Sequence, residues 1–342
     1  MRNATRKVVV VLGSGRSGTS LLMQILVRLG MGVSSDLVPA NASNTEGFYE
    51  HIDTIDIHQE LFSCLGGSVT LPLPANWLDT DCAREARAKL EQILKKFLAE
   101  QPGIVGIKDP RISTFLPLWL RLFNSLNVVP KFILAVREPA CVVSSFVRHY
   151  NNSADRVELV WLLRMLDALE YTAGDCFIAH YEDWFSNSFL NAKNLLCYTG
   201  LNKNFGGDLS EVLADTIKGN LSHVRPDEYA IQNPIVAKLY SALQKCRGDD
   251  FDREEVMFVV KECRRSIEGF KDWYLASYQS KAKLQNIENL LTQVKNEKNQ
   301  LQKFHAELKE ENRLMRKENQ RLQGLAGEIE KLSLAIRHFE KH

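Results

Sequence analysis

The sequence predicts an α/β protein: a three-layer fold with a parallel sheet flanked by helices, followed by a C-terminal α-helical coiled coil. Three observations predict it. A β-branched run, Val8–Leu12, passes through a glycine-containing turn into an apolar helix. Short apolar strands then alternate with helical stretches, the pattern of a parallel sheet covered on both faces. From Gln279 onward the composition shifts to Glu, Lys, Gln and Asn, with an apolar residue at every seventh position. The boundary this sets is 1–278 for the α/β domain and 279–342 for the coiled coil.

The first strand ends in Gly13-Ser14-Gly15-Arg16-Ser17-Gly18, and Thr19-Ser20 opens a helix that runs to about Leu29. Strand, tight turn and helix N-terminus together make an anion site, because backbone N–H groups and the helix dipole point at one place. A polar, irregular stretch from about Ser34 to Gly47 precedes Gly47-Phe48-Tyr49-Glu50-His51 and a helix near Asp53–Cys64. Asp81–Glu100 reads as an amphipathic helix, apolar at Ala86, Leu90, Ile93, Leu94 and Phe97. The second strand, Ile104–Lys108, ends in Asp109-Pro110-Arg111, and a helix follows from about Pro117 to Leu126. The third, Lys131–Val136, ends in Arg137-Glu138-Pro139, with Pro139 suited to the first turn of a helix carrying Ser144 and Ser145. Asp155–Ala173 is a helix with a broad apolar face, and Cys176–His180 is a fourth strand ending at Tyr181-Glu182-Asp183. The polar clusters at Arg16–Ser20, Lys108–Arg111 and Arg137 with Ser145 all fall at carboxyl ends of strands, where open parallel sheets bind ligands.

The chain is 342 residues long, 45% apolar and 25% charged, with a formal net charge of +1. A near-neutral chain gives no sign of a polyanion-binding surface, so nucleic acid is not an expected partner and anion chemistry belongs in a local pocket. The seven cysteines are dispersed with no C-x-x-C pair, which reads as reduced thiols rather than disulfides or metal ligands. Arg2, Arg6 and Lys7 precede the first apolar run, but that run ends after five residues in the glycine turn, so it is read as a strand and not a signal peptide. No stretch reaches the length of a membrane span. The expected location is cytoplasmic.

The spelling of the loop narrows the anion. Gly13 and Gly18 have the spacing of a P-loop, G-x-x-x-x-G-K-[ST], but Thr19 stands where the lysine for β- and γ-phosphates belongs. The nearest cation is Arg16, inside the turn. Arg16-Ser17-Gly18-Thr19-Ser20 resembles the 5′-phosphosulfate loop of sulfotransferases that use 3′-phosphoadenosine-5′-phosphosulfate (PAPS), with Gly15 just before it. Arg137 and Ser145 are similar to the arginine and serine of that family's 3′-phosphate site. The resemblance covers roughly Lys7–Arg225 and implies a P-loop-like fold, PAPS as donor, and no metal. It implies Lys108 and Arg16 as cations over the transferring group. In small-molecule sulfotransferases a catalytic histidine follows the strand-end lysine by two residues; here that position is Pro110. Ile-Lys-Asp-Pro-Arg and Gly-Phe-Tyr-Glu instead resemble the bacterial carbohydrate-type branch, which implies a carboxylate base, Glu50, and a carbohydrate or glycoconjugate hydroxyl as acceptor. Glu46, His51 and Asp109 are the alternates for the base, and Asp109 is otherwise expected to orient Arg111. Ile217–Pro226, with Lys218, His223 and Arg225, is a candidate flap.

In the C-terminal segment Ile287, Val294, Leu301, Leu308, Met315, Leu322, Ile329 and Ile336 recur at intervals of seven. With these as d positions, Asn312 and Asn319 fall at a, which favours a parallel two-stranded pairing. A homodimer is expected, or docking onto another coiled-coil protein. Two other functions stay open: a P-loop small-molecule kinase, and a non-catalytic scaffold whose coiled coil is its function.

Overall fold

A computed structural model describes residues 6–41, 47–150, 152–217 and 229–339. The chain divides into two compact units, Met1–Gly269 and Phe270–His342. In the first, β1 (Arg6–Gly13) leads to α1 (Thr19–Arg28), α2 (Ile52–Cys64) and α3 (Asp81–Glu100), then β2 (Val105–Lys108) and α4 (Ile112–Ser125). There follow β3 (Val128–Val136), α5 (Pro139–Tyr150), α6 (Ala154–Tyr171), β4 (Phe177–His180), α7 (Asp183–Ser186), α8 (Ser188–Thr199), α9 (Leu209–Thr216), α10 (Pro234–Leu243) and α11 (Arg253–Glu268). The second unit holds α12 (Lys271–Phe339).

The four strands form one parallel sheet in the order β2-β1-β3-β4. Side chains alternate across a strand, so Val8, Val10 and Leu12 enter one core cluster while Val9 and Val11 enter another on the opposite face. Both faces are covered by helices, which is why β1 is a continuous apolar run and not an alternating one. Each of those five side chains is essentially fully buried, contributing about 2 kcal/mol apiece. Sequence order reverses around β1, which pairs with β2 on one side and β3 on the other. Register places Lys108 beside Val11 and Ala135 beside Gly13. The strand ends thus bring the glycine loop, Lys108 and Arg137 to one edge of the sheet, at the switch point where such folds bind ligands.

Two expectations need correction. The helix after β2 begins at Ile112 and contains Pro117 within it. The Asp109 carboxylate accepts from Arg111 N at 2.8 Å and the Asp109 carbonyl from Ile112 N at 2.9 Å, so the turn is nucleated well before the proline. The cysteines are not all reduced. Cys64 at the end of α2 and Cys82 in the first turn of α3 form a disulfide across a Cα separation of 6.4 Å, while Cys141, Cys176, Cys197, Cys246 and Cys263 are free.

The helix α12 spans 69 residues. Every one of the eight heptad positions from Ile287 to Ile336 is exposed in the single chain. Leu290, Phe304, Leu325 and Leu332 are exposed beside them, so the apolar stripe is wider than a row of single residues. No helix among the described residues is long and apolar enough to cross a membrane.

Candidate functional site

The loop between β1 and α1 is shaped by its glycines. Gly18 has φ +80°, and a Cβ there would lie 2.2 Å from Tyr181 Cδ2. Only glycine fits this left-handed, closely packed position. No side chain caps α1 at Gly18, so the first-turn N–H groups, which a helix cannot pair internally, keep their positive ends directed out of the helix. Two loop hydroxyls, Ser14 Oγ and Ser17 Oγ, are buried with no hydrogen-bond partner, and so is Arg137 Nε. An unpaired buried polar group costs about 1–3 kcal/mol. Two of them lie in the loop and one beside it, donors that bound anionic groups would satisfy.

Arg16 sits at φ +64° in the same turn and donates from Nε to Ser145 Oγ at 2.9 Å. Its carbonyl accepts from Arg137 Nη1 at 3.0 Å. The Arg137 guanidinium lies over the Tyr181 ring, 4.3 Å from its centroid, a stacking to which a planar guanidinium is well suited. The loop arginine therefore reaches the arginine–serine pair of the next cluster, and Arg16, Arg137 and Ser145 form one cationic group. Burial pulls the Arg16 pKa below its ordinary value; Tyr150 opposes that shift and the neighbouring Arg137 charge adds to it. A bound anion would relieve both the desolvation and the repulsion. Thr19 is buried in the first turn of α1. Gly15 lies against Phe146, with room for a Cβ only 3.0 Å from its Cζ.

A second cluster stands beside the loop. Lys108 Nζ donates to Glu50 Oε1 at 2.5 Å and to the Phe48 carbonyl at 2.8 Å. That carbonyl also accepts from Ser20 Oγ at 3.5 Å, which links the lysine to the start of α1. Glu50 is set by short pairing of its segment with residues 36–38: Val38 N donates to the Glu50 carbonyl at 2.8 Å and Ile52 N to the Asp36 carbonyl at 3.1 Å. The Lys108 and Glu50 side chains retain 3% and 12% exposure. Arg111 Nη1 approaches Glu50 Oε2 at 3.8 Å and donates to Asp109 Oδ1 at 2.8 Å. Burial alone would raise the Asp109 pKa, but donors from His58 and Arg111 outweigh it and hold the carboxyl well below the usual range. A shallow cleft, partly open to solvent, is lined by Lys108 with Leu37, Tyr49, Ile93, Phe97 and Trp119 among others.

The structure thus gathers Arg16, Ser17, Gly18, Thr19, Ser20, Arg137 and Ser145 around the loop, with Lys108, Glu50, Asp109 and Arg111 adjoining through Ser20 and Phe48. His51 stands at the N-cap position of α2 without a side-chain capping bond, and its Nδ1 is buried without a partner. Glu46 and the flap residues Lys218, His223 and Arg225 lie outside the described residues. Sequence reasoning missed His58 and Trp119, which stand behind Asp109. His58 shares an inward face of α2 with Thr54, Ile57 and Leu61, so its burial was readable, but its partner is 51 residues away. Among the described residues no group of three or more His, Cys, Asp and Glu side chains is placed to hold a metal ion.

No protein-family model matches the chain, and no curated protein does. Among solved structures, the chain is similar to the sulfotransferase domain from the Synechococcus PCC 7002 olefin synthase, with 16% identity and a TM-score of 0.39 over 76% of this chain and 96% of that one. The sulfotransferase domain from the curacin biosynthetic pathway is similar at the same identity and score, over 74% of this chain and 97% of that one. Likeness at that level assigns neither a reaction nor a residue. The residues themselves have to.

Proposed function

We propose that this protein is a PAPS-dependent sulfotransferase that moves a sulfuryl group onto a hydroxyl. The observation that carries the reading is the set of unsatisfied buried donors, Ser14 Oγ, Ser17 Oγ and Arg137 Nε, around a loop that has Arg16 within it and no lysine after Gly18. Such a loop suits a phosphate bearing a second anionic group better than a triphosphate with magnesium. The residues present fit the donor. Loop N–H groups, Ser14, Ser17 and Arg16 would hold the 5′-phosphosulfate, and Arg137 with Ser145 the 3′-phosphate. The bound donor supplies an activated sulfuryl group whose leaving group is a phosphate, so the product is the 3′,5′-bisphosphate of adenosine.

What the protein adds is charge and a proton acceptor. Glu50 takes the hydroxyl proton of the acceptor. Lys108 holds Glu50 in place and offers positive charge to the oxygen that the sulfuryl group leaves, as pre-set cations do in phosphoryl transfer. The proton ends on Glu50 and the new bond is a sulfate ester. No step requires a metal. The proposed acceptor is a carbohydrate or glycoconjugate hydroxyl, supported by the Gly-Phe-Tyr-Glu and Ile-Lys-Asp-Pro-Arg resemblance.

We also propose that α12 pairs with a second copy as a parallel coiled coil. Exposed apolar heptad residues support this, as do the two asparagines at a positions and the charge match of Glu311 with Arg316 across such a seam. The cytoplasmic location proposed from the sequence rested partly on reduced cysteines, and the Cys64–Cys82 disulfide removes that support.

Two variants test the assignment of roles. Arg137→Ala is expected to lose affinity for adenosine 3′,5′-bisphosphate by about 10-fold or more, the worth of a charge-assisted hydrogen bond. Lys108→Ala is expected to keep that affinity and lose turnover. Equal losses of binding in both would sink the division into a nucleotide cluster and a reacting pair.

A further inference from the structure

We infer that Trp119, His58 and Asp109 form a buried brace that holds Arg111 against Glu50, which makes His58 a positioning residue of the reacting centre. What Glu50 does there rests on the sulfuryl-transfer reading; the brace rests on geometry alone.

His58 and Asp109 are fully buried and Trp119 nearly so. Polar groups at that depth are tolerated only when paired, and here the pairing has a direction. An indole nitrogen can only donate. Trp119 Nε1 therefore donates to His58 Nε2 at 3.0 Å, and that nitrogen must hold a lone pair. The ring proton is left on Nδ1, 2.8 Å from Asp109 Oδ2. The imidazole is further held by stacking on Phe115, with 5.1 Å between centroids. Trp119 thus selects the tautomer, and the tautomer makes Nδ1 the donor to Asp109 Oδ2.

With Oδ2 occupied, Asp109 turns Oδ1 to Arg111 and accepts from both its backbone N and its Nη1, each at 2.8 Å. Arg111 Nη1 then stands 3.8 Å from Glu50 Oε2, while Lys108 holds Oε1. The two cations that flank Glu50 come from one tetrapeptide, Lys108-Asp109-Pro110-Arg111. His58 lies on α2, which begins two residues after Glu50. The brace therefore ties the helix that follows the base to the strand end that carries both cations. No proton moves along it, because the indole cannot accept one.

Substitutions of His58 read this in a way that packing loss would not. An asparagine amide nitrogen falls where Nδ1 was and still reaches Asp109; a glutamine amide nitrogen falls where Nε2 was. For His58→Ala, turnover is expected to fall about 10- to 100-fold, as for small misplacements of reacting groups, with affinity for adenosine 3′,5′-bisphosphate within about twofold of wild type. His58→Asn is expected to recover most of that turnover and His58→Gln little of it. Turnover within about twofold of wild type in His58→Ala, or no advantage of Asn over Gln, would overturn the brace. Nitrogen-15 NMR of histidine-labelled full-length protein at pH 7 gives a second reading that needs no activity. The His58 ring is expected to carry its proton on Nδ1 in wild type; a proton on Nε2 would overturn the brace. A wild-type protein that binds no bisphosphate but shows the Nδ1 tautomer would instead overturn the sulfotransferase reading and leave the brace standing.

Discussion

Replacing Gly18 by alanine tests the loop on which the site depends. At φ +80° an alanine pays about 1–2 kcal/mol for left-handed backbone. Its methyl would start 2.2 Å from Tyr181 Cδ2, against 3.4 Å for ordinary contact, so the ring must retreat by about 1.2 Å. Overpacking of that kind costs a further 1–3 kcal/mol or so. The expected loss of stability is therefore about 2–5 kcal/mol, read as a lower urea midpoint at an unchanged slope. The functional cost follows from what Tyr181 supports. Its ring carries the Arg137 guanidinium at 4.3 Å, and Arg137 in turn holds the Arg16 carbonyl. Moving the ring is expected to weaken binding of adenosine 3′,5′-bisphosphate by at least about 10-fold, since a hydrogen bond to a charged group is worth about 1.5–3 kcal/mol. A variant within about 0.5 kcal/mol of wild type, with unchanged affinity, would refute the close approach of loop and Tyr181.

Glu50→Gln is expected to bind the bisphosphate within about twofold of wild type and to lose about 100-fold or more in turnover, the usual worth of a general base; near-normal turnover would move the base to Glu46, His51 or Asp109. Asp109 titrates below its ordinary 3.8 in the folded state, so its ionised form stabilises the fold above that pH, and the contribution is lost as pH falls below it. Asp109→Asn should therefore cost about 1–3 kcal/mol at pH 7, with the gap to wild type closing as pH drops below about 4; a gap that stays constant between pH 7 and pH 3 in thermal unfolding would contradict this. Deleting residues 279–342 is expected to give an active monomer by light scattering, and a truncated protein that stays dimeric would put the interface elsewhere.

The sheet was legible because buried parallel strands must be apolar on both faces, and Val8–Leu12 is spelled that way. The candidate anion site was legible for a local reason: strand, glycines and helix start are contiguous, and Ser145 follows the strand-end Arg137 by two helical turns. What sequence hid is long-range pairing. Nothing in the letters joins His58 to Asp109 or Cys64 to Cys82, because each pair meets only after α2 folds against neighbouring elements. Pro117 misled for a different reason. Proline is common at a helix start, yet here the Asp109 turn had already begun the helix at Ile112. The reach of Arg16 to Ser145 was also invisible, since it follows from the left-handed backbone at Arg16 itself.

Calorimetric titration of the full-length protein with adenosine 3′,5′-bisphosphate, beside ATP with magnesium, tests sulfuryl transfer without knowledge of the acceptor. Saturable binding of the bisphosphate is expected, lost in Arg137→Ala, with weaker or no binding of ATP with magnesium. Binding of ATP with magnesium and none of the bisphosphate would contradict it and favour a kinase. Binding of neither would leave the long helix as the working part of the molecule.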